Sequence, residues 1–160
     1  MPAFRPGLRM NKVTDMSSAA KQTTATIIPT FIYRDAPAAI DFLCRAFGFT
    51  SYLVVPGEGD TIVHAQLSFG QGMVMLSSTT GKGEYDQLVK TPAELGGVAG
   101  AAPYLIVTDP DAHYAQAKAA GAEILLDIED KDYGGRGYTC RDLEGYVWSF
   151  GSYDPWDAEH

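Results

Sequence analysis

Two groups of polar side chains in this 160-residue sequence could take part in chemistry. His64 and Gln66 lie in a stretch that alternates polar and apolar residues, so both project from one face of a strand. His64 could bind a ligand or act as an acid or base near neutral pH, and a hydrogen-bonded interior histidine is the alternative. Arg136 follows a Gly-Gly pair and could hold an anionic group through two hydrogen bonds, with a surface ion pair as its alternative. Arg141 has the same two interpretations.

Other reactive side chains give weaker signals. Cys44 and Cys140 do not form a CxxC pair, which predicts neither a disulfide framework nor a zinc site and favours a reducing cytoplasm as the location. His113 is expected on a helix, and His160 is the last residue. The spacing of Ser, Cys, His and acidic residues does not predict a nucleophilic site.

The charge balance limits the partners. A formal net charge of -8 disfavours nucleic acid and anionic membrane surfaces, both of which attract clustered Lys and Arg. The sequence contains no apolar run of the roughly 18 residues that a membrane span needs. Residues 1–24 carry four basic residues with no apolar run of signal-peptide length after them, so we interpret them as a flexible N-terminal extension. Translation from Met10 or Met16 and an arm that clasps a dimer are the alternatives.

The second half of the chain repeats the pattern of the first. An apolar run at 27–34 is followed by Asp35, and a similar run at 102–108 is followed by Asp109, 74 positions later. Each aspartate is suited to cap a helix, because its carboxylate can accept hydrogen bonds from free backbone N–H groups. Pro37 and Pro110 fall in the first helical turn, where proline is tolerated.

The elements that follow are also repeated. One helix is predicted from Ala36 to about Ala46 with Gly48 at its end, and the other from about Pro110 to Ala120 with Gly121 at its end. Three strand signals follow each helix, so each half reads βαβββ and the fold class is α+β. The predicted strands are 51–55, 62–69 and 73–77 in the first half, and 123–128, 137–141 and 146–151 in the second.

This repeat predicts an architecture with a concave cavity. We expect a first module at 25–78, a linker loop at 79–100 with one helical turn near 85–89, a second module at 101–153 and a C-terminal tail at 154–160. Each helix covers one face of its sheet, and the two free faces can curl into a half-open, curved mixed sheet. In the strand at 62–69 the alternation places Val63, Ala65, Leu67 and Phe69 on the helix-covered face and His64, Gln66 and Ser68 on the free face.

The sequence resembles the glyoxalase, bleomycin-resistance and dioxygenase superfamily, the vicinal oxygen chelate proteins, over about residues 25–153. It is most similar to the glyoxalase-like and bleomycin-resistance-like branch. The final strand resembles the superfamily's D-P-x-G-N-L-W signature but departs from it at Leu143 and Tyr146. The residues that carry the likeness are Tyr33-Arg34-Asp35, Ala39 to Leu43, Phe47-Gly48-Phe49, Asp109 to Ala112, Ala119 to Ala122 and Asp142 to Phe150.

The resemblance also implies where a metal would be bound. Metal-dependent members take one ligand from the first and last strand of each half. The corresponding positions here are Ile28, Met75 (or Leu76 with a different gap), Ala102 and Ser149, where His, Gln or Glu would be expected. These side chains are unsuited to a hard or borderline divalent ion. We therefore predict no metal and no cofactor, and we disfavour metal-dependent glyoxalase or dioxygenase chemistry.

The leading hypothesis is a metal-independent protein that binds a planar or amphipathic small molecule in the cavity. The residues expected to line the cavity lie on the same face of their strands as the implied metal positions. The resemblance also implies a homodimer in which both chains complete each concave surface. Tyr104 could stack on a planar ligand, whereas Trp148 has the opposite parity and should pack under a helix. One alternative is an enzyme of the same superfamily, of the lyase, isomerase, epimerase or dioxygenase type, which acts through His64 or Arg136 or through a metal site that the sequence does not reveal. An interaction module with a filled cavity is another. The candidate ligand-binding residues are Thr30, Ile32, His64, Gln66, Tyr104, Arg136 and Ser149, and Ile106 shares their parity.

Overall fold

The computed structural model describes residues 21 and 23–157. Most of the extension predicted at 1–24 lies outside these residues, as do residues 158–160, His160 among them. The elements of the first half are β1 (Thr30–Tyr33), α1 (Ala36–Phe42), β2 (Thr50–Pro56), β3 (Ile62–Phe69) and β4 (Gly72–Ser78). Those that follow are α2 (Glu84–Leu88), β5 (Tyr104–Ile106), α3 (Pro110–Ala119), β6 (Glu123–Asp130), β7 (Arg136–Arg141) and β8 (Val147–Gly151).

The two halves form two four-stranded mixed sheets with the same topology. The strand order is β1-β4-β3-β2 in the first and β5-β8-β7-β6 in the second, with the first pair parallel and the others antiparallel. The register is repeated as well, because Thr30 pairs with Met75 and Tyr104 pairs with Ser149, with an offset of 74 in both strands. The α+β class and the βαβββ pattern of each half are therefore confirmed.

Both predicted helix starts have the expected caps. The carboxylate of Asp35 accepts the Ala38 N–H at 3.1 Å, and that of Asp109 accepts the Ala112 N–H at 3.0 Å. The first helix continues past α1 as a wider π-helical turn, Leu43–Phe47, before Gly48 ends it with a φ of 82°. The second ends at Gly121, with a φ of 101°.

The predicted alternation of β3 is wrong at its first residues. Ala65 and Leu67 are buried as expected, but Val63 is 63% exposed and Ile62 enters the core instead. The cause is an irregularity in the β2–β3 pairing, where the register shifts between Val55 and Pro56. A bulge of this kind changes which side chains face inward on one side of it.

The helix-covered faces of both sheets share one core. The Phe31 ring lies 5.1 Å from Trp148, and Phe47 lies 4.8 Å from Phe150, so side chains of the two halves interdigitate there. Trp148 is fully buried, as its parity predicted. Cys140 is buried in the same core, and this burial raises the pKa of its thiol to about 12. Cys44 is partly buried against the core.

Several polar contacts join the halves. Glu144, in the turn before β8, accepts the backbone N–H groups of Arg34 and Asp35 at 2.8 and 2.9 Å, just ahead of α1. On α3, the imidazole of His113 lies 2.8 Å from the Phe47 carbonyl through Nε2 and 2.7 Å from the Tyr138 hydroxyl through Nδ1. These contacts fix how the two sheets sit relative to each other.

The segment predicted as a linker contains local structure. Its helical turn is α2, and a short 3₁₀ turn follows at Ala93–Leu95. Glu94 accepts hydrogen bonds from the backbone N–H and the hydroxyl of Thr91, which is the pattern of a capping box. Among the described residues, none of the helices has both the length and the apolar character needed to cross a membrane.

Candidate ligand-binding site

The candidate residues of the first half lie on the free face of its sheet. The rows across the strands are Thr30–Met75–Gln66 and Ile32–Ser77, with His64 on β3 two residues before Gln66. The Nε2 atoms of His64 and Gln66 are 3.1 Å apart, so the histidine has a hydrogen-bond partner on its own strand. Ile32 is almost fully buried, whereas Thr30 is exposed.

The second sheet repeats these rows with different side chains. Tyr104, Ser149 and Thr139 form one row, with Thr139 in the place that Gln66 takes in the first half. The hydroxyls of Thr139 and Ser149 are 2.8 Å apart. Thr139 was missed by the sequence analysis, although the 73-residue offset between Gly72 and Gly145 would have identified it from Gln66.

A cavity of about 260 Å³ opens on this second free face. It is somewhat smaller than typical ligand cavities of roughly 300–1,000 Å³. The structure thus brings Tyr104, Arg136 and Ser149 together, while Thr30, Ile32, His64 and Gln66 belong to the other sheet. The lining comes entirely from the second half: Ala102, Tyr104, Leu126, Lys131, Tyr133, Arg136, Gly137, Tyr138, Thr139, Ser149, Phe150, Gly151 and Tyr153.

Tyr104 is held in a defined position at this cavity. Its hydroxyl donates to the Tyr153 carbonyl at 2.7 Å, and burial raises the pKa of the phenol. The ring lies across Gly151, where an added Cβ would come within 2.8 Å of the hydroxyl. Tyr104 also borders a wider groove of about 820 Å³, together with Ile106 and the exposed Trp156.

The guanidinium of Arg136 is already occupied by carboxylates. Its Nε lies 3.1 Å from both oxygens of Asp111, and its Nη1 lies 3.3 Å from Asp130. The hydrogen bonds that the guanidinium donates to these two carboxylates raise the pKa of Arg136. Arg141 is likewise paired with Glu123, at 3.2 Å. Both arginines thus form the surface ion pairs that were the alternative interpretation.

Two tyrosines of the cavity were missed by the sequence analysis. Tyr133 lies at the tip of the β6–β7 hairpin, and Tyr153 follows β8. Their rings meet edge to face with centroids 5.1 Å apart. The hairpin approaches the chain after β8 closely at Gly135, where an added Cβ would lie 2.5 Å from the Tyr153 nitrogen. In the sequence, Tyr133 stands beside a Gly-Gly pair, and this pattern does not show which residue its ring packs against.

The four implied metal positions occupy equivalent places in the two halves, with Met75 and Ser149 in β4 and β8 and with Ile28 and Ala102 just ahead of β1 and β5. Met75 N–H donates to the Pro29 carbonyl at 2.9 Å, and Ser149 N–H donates to the Pro103 carbonyl at 3.0 Å. In the register, Met75 lies opposite Thr30 and Ser149 lies opposite Tyr104. Ile28 and Ala102 each lie two residues before these partners, ahead of the first residue of β1 and β5. The alternative residue Leu76 is instead part of the core. Within residues 21 and 23–157, His, Cys, Asp and Glu side chains do not form any group of three that could hold a metal ion.

The sequence model of the Glyoxalase/Bleomycin resistance protein/Dioxygenase superfamily matches residues 25–150. Together with the duplicated βαβββ sheets, this match shows that the chain belongs to that superfamily.

Similar proteins include one of known structure and one that is uncharacterised. TioX from Micromonospora sp. ML1 has 36% sequence identity and a TM-score of 0.61, with 78% of this chain and 95% of TioX covered. The uncharacterised protein Rv0887c of Mycobacterium tuberculosis (strain ATCC 25618 / H37Rv) is 34% identical over 128 residues, covering 77% of this chain and 71% of the relative.

A more distant neighbour has a metal. The fosfomycin resistance protein FosX of Listeria monocytogenes, solved with Mn(II) and sulfate, has a TM-score of 0.60 and covers 82% of this chain and 91% of its own. At 11% identity this likeness concerns the fold alone. The residues present here do not fit a metal of that kind, because Ile28, Met75 and Ala102 offer no oxygen or nitrogen side-chain donor and Ser149 is a poor ligand.

Proposed function

We propose that this protein binds a planar or amphipathic small molecule without a metal ion and does not change it chemically. The observation that carries the proposal is the chemistry of the implied metal positions, Ile28, Met75, Ala102 and Ser149, whose side chains cannot form the ligand set of a catalytic metal. A cavity lies against two of these positions, Ala102 and Ser149. Membership of a superfamily named partly for antibiotic resistance is consistent with this role.

The second-module cavity is the proposed ligand site. Tyr104 gives it an aromatic wall, and the hydroxyls of Thr139 and Ser149 give it a small polar floor. Ligand sites generally combine apolar walls with a few polar groups that set orientation.

A second copy of the chain would complete the site. The free face of the first sheet carries His64 and Gln66 beside the exposed apolar residues Leu53 and Val55 on edge strand β2. Contiguous exposed apolar surface of this kind is typical of an interface. In a homodimer of isologous symmetry, the first-module face of one copy could lie over the second-module cavity of the other.

Enzymatic acid–base chemistry has less support. Arg136 is neutralised by Asp111 and Asp130, and His64 is hydrogen-bonded to Gln66 on a sheet separate from the cavity. Stoichiometric zinc, nickel or iron in the purified protein, with turnover of hemithioacetal or catechol substrates, would overturn the proposal.

A fluorescence titration tests it. Trp156 borders the groove beside Tyr104 and should report binding when a panel of aromatic antibiotics is added. We expect saturable quenching with the wild-type protein, and roughly 5- to 150-fold weaker binding for Tyr104→Ala, since stacking on one aromatic ring contributes roughly 1–3 kcal/mol. Tyr85→Ala is the matched control, because Tyr85 on α2 is 48% exposed and Tyr104 is 42% exposed. Absence of saturable binding across the panel, or equal loss in the control, would count against the site.

A further inference from the structure

The second-module cavity has an aromatic wall with a definite electrostatic character. Tyr104, Tyr133 and Tyr153 all line it, and Tyr133 and Tyr153 pack edge to face. Tyr133 is 63% exposed, so much of its surface is available to a ligand. The faces of aromatic rings carry negative charge density, which attracts cations and other π-systems.

The positive charges at the cavity are already neutralised. Arg136 is held by Asp111 and Asp130, and the ammonium of Lys131 lies 2.8 Å from Glu129. An anionic ligand would have to displace one of these carboxylates before it could pair with either cation. Such a displacement would leave the carboxylate near the incoming negative charge.

Negative charge is in excess around the same rim. The carboxylates of Asp111, Glu129 and Asp130 face two cations, and Asp154 adds a further negative charge directly after Tyr153, which lines the cavity. The net charge of -8 for the whole chain has the same sign. A cation approaching the rim is therefore attracted both locally and at long range.

From the tyrosine wall and the excess of carboxylates, we propose that the ligand is a planar aromatic cation that stacks on Tyr104 and Tyr133 with its charge towards Asp154. This inference rests on the proposed function, because it names the class of ligand for the same site. Stacking on the tyrosines would bind the planar part of the ligand, and the carboxylates of the rim would attract its positive charge. Tyr133 and Tyr153 would be binding residues in addition to Tyr104.

Three acridines of matched shape test the charge preference. At pH 7.5, 9-aminoacridine is a cation, acridine is neutral and acridine-9-carboxylate is an anion. In calorimetric titrations we expect 9-aminoacridine to bind roughly three- to tenfold more tightly than acridine, the size expected for a cation near aromatic faces. The carboxylate should bind most weakly, and added salt should reduce the preference for the cation.

Two pairs of variants locate the effect. Asp154→Asn should weaken binding of 9-aminoacridine several-fold and leave acridine unchanged, whereas Asp41→Asn on α1 should change neither. Tyr133→Leu should weaken both ligands, and Tyr85→Leu should weaken neither. Asp154 also accepts the Trp156 N–H at 2.9 Å, and the oxygen of asparagine can keep that bond.

The outcomes separate the two proposals. Binding of the three acridines with equal affinity, or tightest binding of the carboxylate, overturns the charge inference and leaves small-molecule binding intact. Failure of all three acridines and of the wider antibiotic panel overturns the inference together with the proposed function.

Discussion

The carboxylate of Asp142 is buried where the two halves of the chain meet. It accepts hydrogen bonds from the Tyr33 hydroxyl at 2.7 Å and the Trp148 indole at 3.1 Å, and from the backbone N–H groups of Glu144 and Tyr146. Burial raises the pKa of Asp142, and these hydrogen bonds oppose that rise. A buried charge depends strongly on its partners, since an unpaired one is costly.

Removal of one partner should therefore be costly. We expect Tyr33→Phe to lower the free energy of unfolding by about 1–3 kcal/mol, because a buried charged acceptor loses a donor. Tyr146→Phe is the matched control, since the Tyr146 hydroxyl donates to the neutral Ile32 carbonyl at 2.8 Å, and it should cost about 0.5–1.5 kcal/mol. Urea unfolding followed by fluorescence measures both. A Tyr33 effect no larger than the Tyr146 effect would contradict the role given to Asp142.

His113 should make stability depend on pH. Burial lowers the pKa of its imidazole, while the bond to the Phe47 carbonyl opposes that change, so the fold favours the neutral ring. The unfolded chain then binds more protons than the folded chain as pH falls through the unfolded value of about 6.5. Stability from this group is therefore complete above about pH 7 and is lost progressively below it.

The measurement is the slope of the unfolding free energy between pH 7.5 and 5.5. We expect the wild-type protein to lose stability as pH falls and His113→Gln to show a smaller slope, whatever its stability at pH 7.5. An unchanged slope in His113→Gln would show that another group is responsible.

For some single residues, the sequence pattern alone predicts the structural role correctly. The caps Asp35 and Asp109 and the buried Trp148 follow from local spacing and strand parity, and the structure confirms them. By contrast, the bonds from Arg34 and Asp35 to Glu144 span 110 and 109 residues. The ion pairs of Arg136 with Asp111 and Asp130 also depend on tertiary distances. The sequence therefore could not decide whether Arg136 contacts a ligand or forms a surface ion pair.

At the scale of elements, turns and irregularities decide which side chains reach the cavity. Because of the bulge between β2 and β3, Ile62 rather than Val63 lies in the core. Periodicity alone could not have located this bulge. The β6–β7 hairpin carries Tyr133 to the cavity through a turn in which Gly134 and Gly135 have positive φ. The sequence predicted the strands but not the hairpin's approach to the residues after β8.

Substitutions at two glycines allow the cost of backbone strain to be compared with the cost of disturbed close packing. Both Gly48 (φ 82°) and Gly135 (φ 72°) lie in the left-handed region, but an added Cβ meets nothing within 4 Å at Gly48 and lies 2.5 Å from the Tyr153 nitrogen at Gly135. We expect Gly48→Ala to cost about 1–2 kcal/mol in unfolding free energy. Gly135→Ala should cost more and should alter the near-ultraviolet circular dichroism of the tyrosines. Equal costs would mean that the hairpin does not contact the chain at Tyr153.

At the scale of the whole molecule, the duplicated sheets share one core and leave a free face on each. The repeat at offsets of 74 and 73 predicted this duplication, the strand order within each half being repeated as well. The sequence also predicted one cavity shared by both halves. The cavity beside Ser149 is lined by the second half alone, while the wider groove beside Tyr104 also includes Phe69 and Gln71 of the first half. How two modules are arranged depends on contacts between them, which the repeat does not encode.

The apolar surface of β2 gives a prediction about assembly. Tyr52, Leu53, Val54 and Val55 are all exposed on this edge strand, and we expect a second copy of the chain to cover them. In sedimentation velocity the wild-type protein should run as a dimer and Leu53→Glu as a monomer. Val98→Glu, at an exposed site beyond the 3₁₀ turn, should remain a dimer. A wild-type monomer, or a dimer unaffected by Leu53→Glu, would exclude this interface.

The central claim is that the cavity binds its ligand through Tyr104 and its neighbours without a metal ion. The most direct measurement is the affinity for the tightest-binding aromatic compound of the panel, before and after exhaustive chelation, with metal content determined on the same samples. We predict the same dissociation constant in both samples and less than stoichiometric metal in each. Binding that disappears on chelation and returns with a divalent ion, or a panel in which no compound binds, would contradict the claim.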